Sequence, residues 1–453
     1  MKRQTMLPFE YEEVEEDGHV TSYGGLPIVA EVMRNFGASN AVTQHVELPA
    51  REHDAAWCVE SLAMLLAAGG DCIDDMNLFL DDSALARLLQ RTFPSPETLR
   101  RFLYAFHDDE LVEAGRKQAE LKGATSFVPE ESDRLKGLQL AQEALVHGVA
   151  GRGRGKVATL DVDASIHESH KREAQPHYKK GRGYQPTIAV WAELDLVVAD
   201  EFRDGNVPAG KDTLRLVERA FSALPEQVTR RRLRADSALY NLKTLRWLYD
   251  HGIEYTISAD MSRPLREACV GLPQTSWKRI ESRAHEHVHV AEVDWCPSDW
   301  ANSRERPRYL AVRYSPRQGS LLEESGPKYL AVVTHRKGEP EELLRWHWEK
   351  AGTVEHVHDV IKHELGAGTL PCGRFGANAA WYRIALLTYN ALSALRSVAM
   401  PPSLQDARPK RLRFHVFVQP AEVINHARRL IARVRKKLRC LVSLPALRLA
   451  IAT

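Results

Sequence analysis

Val157-Ala-Thr-Leu-Asp161-Val-Asp163-Ala-Ser165 is the stretch on which the fold turns. Apolar side chains alternate along it as they do on a strand, so Asp161 and Asp163, two residues apart, point to the same face. Two like charges side by side are expensive unless they are solvated, paired or bound to a metal. The same residues therefore predict a strand and a candidate site. Working outward, residues 185–191 and 194–201 read as two further strands, with a turn at Gly205-Asn206 after them. Residues 211–224 read as a helix, 231–235 as a strand, 238–251 as a helix and 253–259 as a strand.

That order, β-β-β-α-β-α-β with hairpins first and crossover helices later, predicts an α/β fold with a mixed sheet of the ribonuclease-H type. Residues 277–283, 287–295, 308–314 and 329–335 alternate apolar and polar, as antiparallel strands with one wet face do. They predict a β-rich insertion over 261–340. Helix resumes at 341–365, and a long apolar helix at 376–400 should pack on the sheet. The catalytic-type unit thus comprises 151–260 and 341–400. Before it, short helices at 26–36, 55–68, 82–89, 95–106 and 132–147 predict an α-helical domain over 21–150, a candidate for DNA binding. Ser95, Pro96 and Glu97 form a well-marked helix start, and Arg100 and Arg101 on that helix suit a recognition helix.

Asp236 ends the strand at 231–235, a strand-to-helix turn of the kind where sheet proteins place ligands. Glu355, His358 and Lys362 follow at i, i+3 and i+7, one helix face, with Val354, Val357 and Ile361 opposite. Three carboxylates from two strands and a helix suit hard divalent cations, which favour a few carboxylates plus water and phosphate oxygens. Two such ions can stabilise both the attacking and the leaving oxygen of an in-line phosphoryl displacement.

Leu160-Asp-Val-Asp-Ala-Ser165, Arg234-Ala-Asp236-Ser237 and Trp348-Glu-Lys-Ala351-Gly-Thr-Val-Glu355-His-Val-His-Asp-Val-Ile-Lys362 resemble the three signature regions of DDE transposases from bacterial insertion sequences. Within these they resemble the group whose third motif reads Tyr-x2-Arg-x3-Glu-x6-Lys and whose ribonuclease-H fold carries a β-strand insertion before the last acid. The resemblance covers about residues 155–400. It implies that Asp163, Asp236 and Glu355 are the metal-binding catalytic triad, with Mg²⁺ as cofactor and Mn²⁺ able to substitute. Lys362 would contact a DNA phosphate, and a homodimer would act on paired terminal inverted repeats and then on target DNA. Asp161 competes for the first position; Asp163 is preferred because it adjoins Ala164-Ser165, as in the family pattern. Two positions depart from that pattern, Trp348 for Tyr and Ala351 for Arg. Lys350 or Arg345 would have to supply the phosphate contact that Ala351 cannot, and Trp348 suits either stacking on an extruded base or a place in the core.

Charge is segregated along the 453 residues, although 62 Lys and Arg nearly balance 60 Asp and Glu. Residues 10–17 form an acidic lead-in within 1–20. From Arg408 to Arg439, eleven bases stand against Glu422 alone, a surplus of +10 that leaves −8 for the rest. Residues 421–439 read as a basic amphipathic helix within a helical segment at 401–453. Arg429, Arg433, Lys436 and Lys437 line its basic side, which suits DNA phosphates better than a membrane because no lipid-anchor motif accompanies it. No run of ~18 apolar residues and no signal-peptide core occurs, which predicts a cytoplasmic protein without a membrane partner. Six scattered cysteines without a C-x-x-C pair argue against a disulfide framework or zinc knuckle. Gly153-Arg-Gly155-Lys156 precedes a strand and lacks the Ser or Thr of a P-loop, so no nucleotide cofactor is expected.

Overall fold

In the computed structural model, residues 12, 18–48, 53–153, 155–300, 306–317, 326–435 and 442–452 are described. Most of the acidic lead-in, and Lys436, Lys437 and Arg439, lie outside them. The principal sheet has nine strands: β1 Val157–Ala164, β2 Thr187–Trp191, β3 Leu196–Glu201, β4 Arg230–Ala235, β5 Glu254–Ala259, β6 Lys278–Ser282, β7 Glu286–Val293, β8 Arg308–Pro316 and β9 Lys328–Thr334. Their spatial order is β6-β7-β8-β9-β5-β4-β1-β2-β3. β1 pairs antiparallel with β2 and parallel with β4, and β4 pairs parallel with β5. One central strand with a hairpin on one side and two parallel crossovers on the other is the ribonuclease-H-like mixed sheet. The four strands of residues 278–334 continue this sheet edge to edge, since β9 pairs antiparallel with β5.

Eight helices of the described residues matter to the site or the core: α1 Pro27–Asn35, α2 Ala38–His45, α3 Ala55–Ala68, α4 Pro96–Tyr104, α5 Asp133–Ala150, α6 Pro340–Trp348, α7 Val354–Glu364 and α8 Phe375–Ala399. Starts follow the local chemistry: Ser95 and Ser132 cap α4 and α5 by accepting from the Thr98 and Leu135 amides. At Gly137 a Cβ would lie 2.3 Å from the His45 carbonyl oxygen, so only glycine lets α5 cross α2 this closely. Helix α8 is buried on nearly every side, between the sheet and the amino-terminal helices, in one continuous apolar core. Its polar residues are satisfied inside that core: the Asn390 side chain accepts from the Val197 amide at 2.8 Å and donates to the Val197 carbonyl at 2.7 Å.

Two expectations are corrected. Residues 341–365 are not one helix: a 3₁₀ turn, Glu349–Gly352, separates α6 from α7. Gly352 gives the chain freedom there, and Thr353 leaves helical geometry at φ −111°, ψ −83°. The helical reading of 421–439 fails as well. Residues Ala421–His426 and Arg429–Val434 form an antiparallel hairpin, β10 and β11, whose first strand also pairs with Val20–Thr21. Val423, Ile424, Ile431 and Val434 are β-branched and favour a pleated surface. The reversal uses Ala427 and Arg428, both at positive φ (49° and 63°), the geometry of a tight hairpin turn. Helix does return at the end of the chain, as Leu444–Ala452.

Candidate active site

The parallel register between β1 and β4 builds the site. Asp161 pairs with Arg234 and Val162 with Ala235, which leaves Asp163 and Asp236 one step further on, at the carboxyl ends of adjacent strands. Neighbouring strands lie roughly 4.8 Å apart, and residues level in a parallel pair share a face. Burial, and after it the charge of Asp163, pushes the Asp236 carboxyl above its ordinary range. Asp236 also caps the short turn after β4, its Oδ1 accepting from the Ala238 amide at 3.0 Å.

The equivalent face two residues earlier is occupied differently. Asp161 is fully buried and takes a bidentate pair from Arg234, at 2.6 and 2.8 Å, and a hydrogen bond from the Thr353 hydroxyl. Arg234 is itself buried and donates to the Trp346 carbonyl at 2.8 Å and to Glu349 at 2.7 Å. Asp161 is therefore committed to holding the 349–353 turn against the sheet. Asp163 is the acid of the pair that faces Asp236.

The break at 349–353 aims α7 at this edge. His358 Nε2 lies 3.3 Å from the Asp163 carbonyl, and Lys362 Nζ donates to the Ile166 carbonyl at 3.0 Å. Glu355 is one turn before His358 on the same face, in the first turn of α7 and exposed. Burial holds the His358 imidazole at about 4, so it packs against β1 as a neutral ring. Lys350 reaches in from the 3₁₀ turn, with Nζ 3.3 Å from Asp163 Oδ1. Arg345 makes no ion pair with Asp163 or Asp236; it pairs with Glu341 at 3.1 Å and donates to the Ile280 carbonyl at 2.8 Å, tying α6 to β6, and it borders the cleft that Glu355 also lines. Trp348 is half-buried on the small core under the insertion strands, with the Arg283 guanidinium 5.5 Å from its ring. Trp348, Lys350, Ala351 and Glu355 line an open cleft of about 790 Å³.

Sequence reasoning gave Arg234 and Thr353 no role. Arg234 stands two residues before Asp236, as Asp161 stands before Asp163, and that shared period of two was the available signal. Arg429 and Arg433 lie on the exposed face of the hairpin, far along the chain from the acids, and Arg433 faces Glu422 at 3.6 Å.

A ribonuclease-H-like mixed sheet with acids at the ends of adjacent central strands is the class of fold that this site belongs to. A family described as transposase DDE domain group 1 matches residues 12–439, and the chain belongs to it. It is a transposase, and its family's chemistry uses divalent metal ions. A search of curated proteins gave no match. Among solved structures, the chain is similar to a piggyBac transposase synaptic complex with hairpin DNA, at 10% identity and TM-score 0.48, over 86% of this chain and 78% of that one.

Proposed function

We propose that this transposase cleaves and joins DNA at the terminal inverted repeats of an insertion sequence, with Asp163, Asp236 and Glu355 as catalytic acids. The observation that carries the reading is the parallel register that sets Asp163 beside Asp236, with the Glu355 face of α7 turned to the same edge. Asp163 and Asp236, at the ends of adjacent strands, are oxygen donors of the kind a divalent metal takes, although the three carboxylates do not all lie within 4.8 Å of one another. Carboxylates gathered at a strand edge oppose one another's ionisation, as Asp163 opposes that of Asp236, and a hard cation relieves that repulsion. Asp163, Asp236 and Glu355 would hold Mg²⁺, or Mn²⁺ in its place, which when bound activates a nucleophile and offsets charge on the phosphate. The chain itself supplies position: Arg234 and Asp161 lock the turn that carries Lys350, and neutral His358 seats α7 on β1. Lys350 supplies a cation for phosphate oxygens and Trp348 an aromatic edge on the open cleft, and Lys362, which donates to the Ile166 carbonyl beside β1, would add a second cation.

The test is cleavage and joining of DNA carrying the element's ends, with Mg²⁺. The expected result is nicked and joined product; binding without either would favour a transposase-derived DNA-binding protein that has lost catalysis, the reading that Ala351 and Trp348 motivate, and nicking without joining a ribonuclease-H-fold nuclease without strand transfer.

DNA, as repeats and as target, is the partner in this reading. Residues 151–260 and 341–400 form the catalytic domain, 261–340 its insertion and 21–150 a helical domain that contributes DNA contacts. A homodimer on paired ends, acting in the cytoplasm on the nucleoid, completes it. Arg429 and Arg433 extend the interface through the carboxyl-terminal hairpin. A two-stranded ribbon fits the major groove, and its outward face here carries His426, Arg429, Arg433 and Arg435 against the single acid Glu422. Each phosphate that a base neutralises adds about 0.9 to the slope of log K against log salt. Arg429→Ala with Arg433→Ala should thus flatten the slope by about 1.8, read by fluorescence anisotropy in EDTA. An unchanged slope removes the hairpin from the interface.

A further inference from the structure

The acid cluster carries its own cation. Lys350 Nζ lies 3.3 Å from Asp163 Oδ1, with side chains only 11% and 19% exposed. Among the described residues, no other cationic side chain lies within ion-pair distance of Asp163. Arg234 is spent on Asp161 and Glu349.

We propose that Lys350 is the resident counter-ion of this centre, holding Asp163 in the metal-free chain and leaving it when a divalent cation binds. The inference rests on the reading that Asp163 and Asp236 hold the metal. An ammonium and a divalent ion cannot share one carboxylate without strong repulsion at close range. The lysine also has somewhere to go. It sits on the 3₁₀ turn beside Ala351 and Gly352, both exposed, and a Cβ built on Gly352 would meet nothing within 4 Å. The turn borders the open cleft, where the stem of Lys350 can swing its point charge to a phosphate oxygen. The position beside it, Ala351, offers no such contact. Cation exchange at Asp163 would thereby couple metal loading to a phosphate contact supplied by the same turn.

The test uses the full chain without DNA. Free Mn²⁺ is followed by electron paramagnetic resonance during titration of wild type, Lys350→Met, Lys350→Arg and Asp163→Asn. Lys350→Met should bind Mn²⁺ about tenfold more tightly than wild type, because no side chain competes for Asp163. Lys350→Arg should stay near wild type, and Asp163→Asn should bind at least about tenfold more weakly. If Asp163→Asn weakens binding and Lys350→Met does not strengthen it, the counter-ion role is overturned while the metal site stands. If Asp163→Asn leaves binding unaltered, the metal-site reading itself fails. A second readout needs no variant: amine acetylation of wild type, mapped by mass spectrometry, should label Lys350 several-fold faster with saturating Mn²⁺ than in EDTA. Equal labelling in the two conditions overturns the displacement.

Discussion

Asp236→Asn is expected to abolish cleavage and joining, by about 10³-fold or more, while the chain stays folded and keeps its affinity for DNA measured in EDTA. A metal ligand in a phosphoryl-transfer centre is worth several kcal/mol of transition-state stabilisation, and each 1.36 kcal/mol is tenfold in rate. Folding should not suffer. The carboxyl of Asp236 is already raised by burial and by Asp163, so neutralising it relieves repulsion. Asparagine Oδ1 can still accept from the Ala238 amide. The melting temperature should therefore match or exceed that of wild type. Asp163→Asn should behave in the same way toward activity. Asp161→Asn makes the contrast, since it leaves buried Arg234 without its bidentate partner, and breaking a buried pair costs about 3–5 kcal/mol. Urea unfolding beside the cleavage assay separates the two aspartates: loss of activity without loss of stability for Asp163, loss of stability for Asp161. The reverse pattern would move the catalytic role to Asp161.

That assignment was open in the sequence, where Asp161 and Asp163 share a face and a neighbourhood. What separates their surroundings is a partner 73 residues away: parallel pairing sets Arg234 level with Asp161, and no local pattern reveals register. The strands themselves were legible, because alternation of apolar and polar residues follows from a pleat with two faces. The spacing from Glu355 to Lys362 was legible for the same kind of reason, being about two helical turns. The hairpin at 421–434 was not. Its apolar residues satisfy both a helical and a strand period, and its reversal falls on Ala427-Arg428, where neither glycine nor asparagine announces positive φ. The break at 349–353 was hidden by the good helix formers Glu349, Lys350 and Ala351 before Gly352. Thr353 closes it through Asp161, a contact that exists only once the sheet has formed.

Arg383→Met should be strongly destabilising, at about 3–5 kcal/mol. The guanidinium, 2% exposed, lies inside α8 and donates to Asp200 at 2.7 and 3.0 Å, to Glu131 at 3.1 and 3.0 Å and to the Leu135 carbonyl at 2.7 Å. Those partners belong to β3, to the segment before α5 and to α5 itself. One side chain thus fastens the helical region to the sheet and the long core helix. Methionine fills much of the volume and leaves Asp200, wholly buried, as an uncompensated charge. Replacing Asp200 by Asn as well should recover part of the loss, since a buried pair replaced on both sides costs less than one broken. The pH dependence carries a second signature. Burial alone would raise the Glu131 carboxyl, and the Arg383 and Arg219 guanidiniums overcome it, holding the group at about 2 against an ordinary 4.5. A depressed carboxyl contributes stability that is full above the unfolded value and is lost as pH falls through the folded one. Wild type should therefore lose stability between about pH 4.5 and 2 through Glu131, and Arg383→Met should lose less over that window because only Arg219 remains. Urea midpoints at pH 7, 4.5 and 3 measure both effects. A midpoint for Arg383→Met equal to that of wild type at pH 7 would mean that apolar packing alone joins the helical region to the sheet.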